Sequence, residues 1–178
     1  MDYLEKSLAV SRDIGASYML VSVGHSGAGV NKKERLLKSL LRLAKTAEKV
    51  DVPIVVETLT PYESDFCTSL RELTENLPAS PFINVVLDVV APFSQGEDPA
   101  DYARVLGKRL KHLHLVDNDG RSDTHLIPGD GVMDLERIVK DLRKFGYEGD
   151  ATIELVTNYI NDSTSAFRLA LERVRKLI

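Results

Sequence analysis

The sequence predicts an α/β fold with a parallel sheet, built from about five strand–helix units. Three observations carry this expectation. First, five short apolar runs recur along the 178 residues, separated by stretches of helical spacing. Such alternation implies right-handed crossovers and a parallel sheet. Second, Ile54-Val55-Val56 and Val85-Val86-Leu87 are continuously apolar, as in strands buried on both faces. Third, these runs end in chemistry. Glu57 and Asp88 close the two runs, Glu154 follows Thr152-Ile153, and His114 takes the same place on a fourth run. In α/β barrels the C-terminal strand ends converge on one pocket.

The elements are expected in this order. Residues 2–14 form a helix, with Leu4, Leu8, Val10 and Ile14 near helical spacing and Gly15 as its stop. Residues 18–23 are the first strand. Asn31 caps a helix over 32–49, whose inner stripe is Leu36, Leu37, Leu40, Leu43, Ala44 and Ala47. A strand over 53–57, a loop and a helix over 64–76 follow. Pro78 and Pro81 break the chain before the strand at 83–88. Residues 89–96 read as an apolar loop and 99–107 as a short helix before the fourth strand. Asp134 caps a helix that ends near Phe145-Gly146, and Tyr147-Glu148-Gly149 turns into the last strand at 151–155. Asn161-Asp162-Ser163 opens a final helix to residue 178, with Phe167, Leu169, Ala170, Val174 and Leu177 available for packing. No repeat or linker interrupts the pattern, so residues 1–178 are read as a single domain.

Composition narrows the function. A net charge of −4 gives no electrostatic case for nucleic acid, and no run approaches the length of a membrane span. The start, MDYLEKSLAV, lacks a basic region and a cleavage site, so it reads as an amphipathic helix and not as a signal peptide. The single cysteine, Cys67, allows no internal disulfide and suits the reducing cytoplasm. It is expected to be a small half-buried residue on a helix.

The most informative stretch is KHLHLVDNDGRSDTHLIPGDG, residues 111–131, which holds three of the four histidines. It begins as a strand in which period-two spacing puts His112 and His114 on one face. It then runs into a polar loop carrying His125. His112 is expected to be a hydrogen-bonded interior histidine. Glu57, Asp88, Glu154 and His114 meeting at one point would suit Mn²⁺, Mg²⁺, Co²⁺ or Zn²⁺. The run GHSGAG at 24–29 lacks the lysine of a phosphate-binding loop, and no GxGxxG pattern is present. It is read as a flexible active-site loop, with His25 either a substrate contact or an exposed loop histidine.

Four segments carry a family likeness: VETLTPYES (56–64), LDVVAP (87–92), the 111–131 stretch and TIELVTNYIN (152–161). With them the chain resembles the sugar isomerase/epimerase family of xylose-isomerase-like TIM barrels, closest to its fructosamine (fructoselysine-type) 3-epimerase branch. The resemblance implies a partial TIM barrel. About five βα units of a (β/α)8 barrel are present and the first three are missing, since that fold has eight strands and about 250 residues. It implies a metal-dependent carbohydrate epimerase acting on a ketose or fructosamine through a metal-stabilised enediolate. Glu57, Asp88, His114 and Glu154 would hold one divalent ion, with Mn or Co favoured over Mg, Ni or Zn. Glu57 and Glu154 would also act as general base and acid. His25, His125 and Arg121 would be the substrate-binding residues. Ala91 stands where ketohexose epimerases place a histidine, which favours a fructosamine. The implied setting is a cytoplasmic homo-oligomer with a small-molecule substrate, no nucleic acid and no membrane.

Other readings stay open beside this one. The chain would instead be a truncated, non-catalytic metal-binding remnant that oligomerises to cover open sheet edges. The apurinic endonucleases of the same superfamily use more histidines than the four present. A phosphorylated substrate would want a basic cluster, and Arg121 is the only basic residue of the long loop.

Overall fold

A computed structural model describes residues 1–25, 27 and 31–178. Ser26, Ala28 and Gly29, part of the glycine-rich run expected to be an active-site loop, lie outside the described residues. The elements are seven α-helices and five strands among the described residues. The strands are hydrogen-bonded in chain order, β1-β2-β3-β4-β5. This is the expected α/β arrangement. The chain forms two compact units, Met1–Val86 and Leu87–Ile178.

The first unit holds α1 (Asp2–Asp13), β1 (Met19–Val21), α2 (Lys32–Val50), β2 (Ile54–Glu57), α3 (Leu70–Asn76) and most of β3 (Ile83–Asp88). β1 runs parallel to β2 with Met19 opposite Ile54, and β2 runs parallel to β3 from Ile54 opposite Ile83 to Glu57 opposite Val86. Every residue of β2 and β3 is buried, as their unbroken apolar runs require. From α2, Leu40, Leu43, Ala44 and Ala47 are buried, while Leu36 and Leu37 are half-buried. Each buried leucine contributes about 1.5–3 kcal/mol relative to an exposed one. Of the α1 stripe only Leu8 is buried, and Val10 and Ile14 face solvent. Gly15 ends the helix at φ 72°, a left-handed turn that glycine makes without strain.

Three local expectations need correction here. Asn31 occupies the cap position of α2 but makes no side-chain capping bond, because its backbone is left-handed at φ 65°. A capping side chain reaches the first turn from extended backbone. Residues 64–69 do not belong to α3. The Ser64 hydroxyl accepts from Phe66 N at 3.0 Å, a local turn that competes with helix. Ser69 then caps the helix by accepting from Glu72 N at 3.3 Å. Cys67 is fully buried in that turn at φ 63°, neither half-buried nor helical.

The second unit takes up the end of β3 and adds α4 (Val90–Ser94), α5 (Pro99–Leu106), β4 (Leu110–His114), α6 (Leu135–Lys144), β5 (Asp150–Thr152) and α7 (Ser163–Val174). The apolar stretch after β3, expected as a loop, is largely the short helix α4, with Val90, Ala91 and Pro92 buried. Pro92 stands in its first turn, where no intrahelical donor is needed. Asp98 and Asp134 cap α5 and α6 through bonds of 3.0 Å from Ala100 N and Arg137 N. Leu135, Ile138, Val139 and Leu142 of α6 are buried at helical spacing.

β5 pairs parallel with β4, His114 opposite Thr152. It stops at Thr152 and not at the expected residue 155, and all three of its residues are exposed. Beyond it, Ile153, Leu155 and Tyr159 pack against Ile127, Ala166 and Ala170. That packing sets the phase of α7, which buries Ala166, Ala170 and Val174. Phe167 and Leu169, read from the sequence as available for packing, are exposed by 46% and 38%. The two alanines permit close approach, and the larger side chains at 167 and 169 flank that stripe and stay partly exposed. No helix among the described residues is long and apolar enough to cross a membrane.

Candidate metal centre

In the second unit three strand ends deliver donors to one place. β3 ends in Asp88 and β4 in His114, both buried, and Glu154 lies two residues past β5, half-buried. Nδ1 of His114 is 2.7 Å from Oε2 of Glu154 and 3.9 Å from Oδ2 of Asp88. One donor atom from each of the three lies within 4.8 Å of the others. Two carboxylates and an imidazole at this spacing suit a divalent cation. Asp88 is further held by Val90 N, which donates to Oδ1 at 2.8 Å.

Electrostatics distinguish the two carboxyls. Burial pushes the Asp88 carboxyl up to about 7, against the opposing pull of His125, the Val90 N–H and His114. The Glu154 carboxyl is held below its usual range, chiefly by its hydrogen bond with His114, with burial opposing. A cation bound among them would favour the ionised form of both.

The other histidines take different places. His125 is buried on the long loop, with Nε2 3.6 Å from Asp88 Oδ2 and Nδ1 3.2 Å from the Glu154 carbonyl oxygen. His112 lies deeper, its Nε2 2.7 Å from Thr152 Oγ1, and burial followed by the nearby His114 lowers its pKa. It is the interior hydrogen-bonded histidine expected. Arg121 is exposed at the tip of the same loop.

In the first unit Glu57 closes β2, buried, and the Ser22 hydroxyl donates to its Oε2 at 2.5 Å. Thr58 N donates to Val86 O at 3.0 Å and holds the strand end against β3. His25 is exposed, with Nε2 2.9 Å from the Tyr62 carbonyl oxygen. Sequence reading missed Ser22 and Asp117. Ser22 left a faint signal as a polar residue within the run YMLVSV. Asp117 left none that separates it from the other polar residues of its loop.

Parallel βα units with carboxylate and imidazole groups at their C-terminal ends are the layout of a βα-barrel site. The profile of the family described as "Xylose isomerase-like TIM barrel" matches residues 1–177. The chain is 37% identical to fructoselysine 3-epimerase of Shigella flexneri over 183 aligned residues, covering all of this chain and 66% of that protein. It is 31% identical to D-psicose 3-epimerase of Enterocloster bolteae over 124 residues, 68% of this chain and 40% of that one. Two solved structures agree in fold. An IOLI protein with a bound zinc atom superposes with a TM-score of 0.84 at 18% identity, covering 99% of this chain and 68% of that one. A D-allulose 3-epimerase from Methylomonas sp. in complex with D-allulose gives 0.81 at 19% identity, with the same coverage. This chain therefore belongs to the xylose isomerase-like TIM barrel family. Its five parallel strands are a partial (β/α)8 fold, and it spans just under two thirds of the fructoselysine 3-epimerase length.

Proposed function

We propose that this chain carries the centre of a metal-dependent sugar 3-epimerase whose substrate is a fructosamine of the fructoselysine type. The convergence of Asp88, His114 and Glu154 carries the reading, and the 37% identity to fructoselysine 3-epimerase supplies the substrate. Glu57 is the fourth ligand. It pairs with Val86, and Asp88 lies two residues further along the same strand, so period two gives both carboxylates one sheet face.

When bound, a divalent ion, Mn²⁺ or Co²⁺ in preference, supplies Lewis-acid stabilisation to a carbonyl and its neighbouring hydroxyl. Asp88 and His114 hold the ion and move no proton. Glu57 and Glu154 approach the substrate C3 from opposite faces. One removes the proton as general base and the other returns one as general acid, and the roles exchange with the direction of reaction. Ser22 fixes the Glu57 carboxylate. His125 meets a substrate hydroxyl, with Arg121 and His25 further out on their loops. The proposal also includes a cytoplasmic homo-oligomer in which a second copy covers the exposed β5.

The test is solvent exchange. Metal-free protein receives Mn²⁺ or Co²⁺ in D₂O with fructoselysine and with psicose, and the metal is removed before the NMR spectrum. Deuterium at C3, dependent on metal and absent in Glu154→Gln, supports the reading. Metal binding without exchange on either sugar sinks it. That outcome would favour a second reading, a metal-binding chain without turnover, to which the exposure of all three β5 residues lends support.

A further inference from the structure

We infer that Asp117 is a positioning residue that holds His125 at the metal centre. Asp117 is 1% exposed and follows β4 by three residues. Its carboxylate accepts four backbone N–H groups. Oδ1 takes those of Asn118 at 2.8 Å and Met133 at 3.0 Å. Oδ2 takes those of Gly129 at 2.8 Å and Gly131 at 3.0 Å. One side chain thus ties both ends of a loop whose span is 117–133. The Asp117 backbone adds an antiparallel bridge to Leu126, donating to its carbonyl at 3.0 Å and accepting its N–H at 2.8 Å. Leu126 is the neighbour of His125.

Within the clasp Asn118 fixes the loop tip. Its amide donates to the Ser122 and Thr124 carbonyls at 2.8 and 2.9 Å, and its Oδ1 accepts from Gly120 N at 2.7 Å. Ile127 N donates to the Tyr159 hydroxyl at 3.1 Å on the far side. Backbone that would otherwise need water is satisfied internally, and His125 is held over Asp88 and Glu154. A group pre-oriented in this way loses little freedom when substrate arrives. Only an acceptor can fill the Asp117 position. Asparagine has almost the same shape but turns an NH₂ toward donors, so two N–H bonds are lost and two donors face each other.

The role rests on the epimerase reading for its kinetic test, so a second measurement is independent of it. With Mn²⁺ bound and fructoselysine as substrate, Asp117→Asn and His125→Asn should each lower kcat/KM on the order of 10–100-fold, the usual cost of losing an outer partner of a metal site. Because Asp117 acts through His125, the double variant should be no slower than the slower single one. Mn²⁺ affinity should be unchanged in Asp117→Asn, which general unfolding would not allow. Losses that multiply, or an Asp117→Asn variant as fast as the parent, overturn the inference. If the parent epimerises nothing, the proposed function fails, and the positioning role is judged on the ¹⁵N resonances of the His125 ring in metal-free protein. These should shift in Asp117→Asn, and unshifted ring nitrogens would reject the role.

Discussion

His114 Nδ1 and Glu154 Oε2 are 2.7 Å apart, closer than the 3.9 Å between His114 Nδ1 and Asp88 Oδ2. The pair joins the end of one strand to the chain just past its parallel neighbour, and its hydrogen bond is the largest cause of the lowering of the Glu154 carboxyl pKa. Each partner is also a donor a cation would claim. Replacing Glu154 by Gln removes a charged donor and leaves His114 with a weaker one. Mn²⁺ affinity, measured by titration calorimetry, should fall by more than the roughly 10–100-fold that outer-shell changes cost. An unchanged isotherm would remove Glu154 from the ligand set.

Ser22 should matter in a different way. Its hydroxyl donates to the Glu57 carboxylate from the chain just after β1. Ser22→Ala removes that one hydrogen bond, and Ser22→Thr restores it. The alanine variant should lose on the order of 10–100-fold in metal affinity or exchange rate, and the threonine variant should recover most of it. Equal behaviour of the two variants would mean the bond does not orient Glu57.

The contrast between these residues explains what the sequence disclosed. Asp88 was legible because it ends an unbroken apolar run, and β3 matches its expected span residue for residue. The helix cap at Asp134 was legible because a short acceptor before a periodic segment has one local use, and the run 161–163 marked the start of α7 without singling out Asp162 as its cap. The phase of α7 was not. Phe167 and Leu169 are more hydrophobic than Ala166 and Ala170, but close packing against Ile127 and its neighbours selects the small pair. Asp117 was illegible for a similar reason. Its four partners are backbone groups up to 16 residues away, and backbone donors leave no mark in side-chain identity. Non-local contacts decided what periodicity and composition left undetermined.

Cys67 should be chemically silent in the folded protein. It is fully buried, and burial, with a smaller contribution from Glu72, pushes its thiol well above the ordinary range. The reactive species is the thiolate, so at pH 8 both access and ionisation are suppressed. Iodoacetamide followed by mass spectrometry should show almost no labelling of native protein and rapid labelling in urea. Fast labelling without denaturant would show that the turn before α3 opens readily.

Gly131 offers a steric test of the Asp117 clasp. A Cβ built there would stand 2.3 Å from both the Asn118 carbonyl oxygen and Oδ1 of Asp117. Neither neighbour can yield cheaply. One is backbone, and the other belongs to a carboxylate that four N–H groups pin, two on each oxygen. The conflict does not come from backbone conformation, because Gly131 is not among the glycines with positive φ. Gly131→Ala should therefore destabilise by about 1–3 kcal/mol, the usual cost of overpacking a tight site, read as a lower urea midpoint. Gly146 is the control, with φ 85° and no heavy atom within 4 Å of its added Cβ. Gly146→Ala destabilises through backbone strain at the end of α6, far along the chain from the clasp. Both variants lower the midpoint, but only Gly131→Ala should also displace the His125 ring resonances. If Gly146→Ala moves those resonances equally, the loop is responding to general loss of stability and not to the loss of the Asp117 bonds.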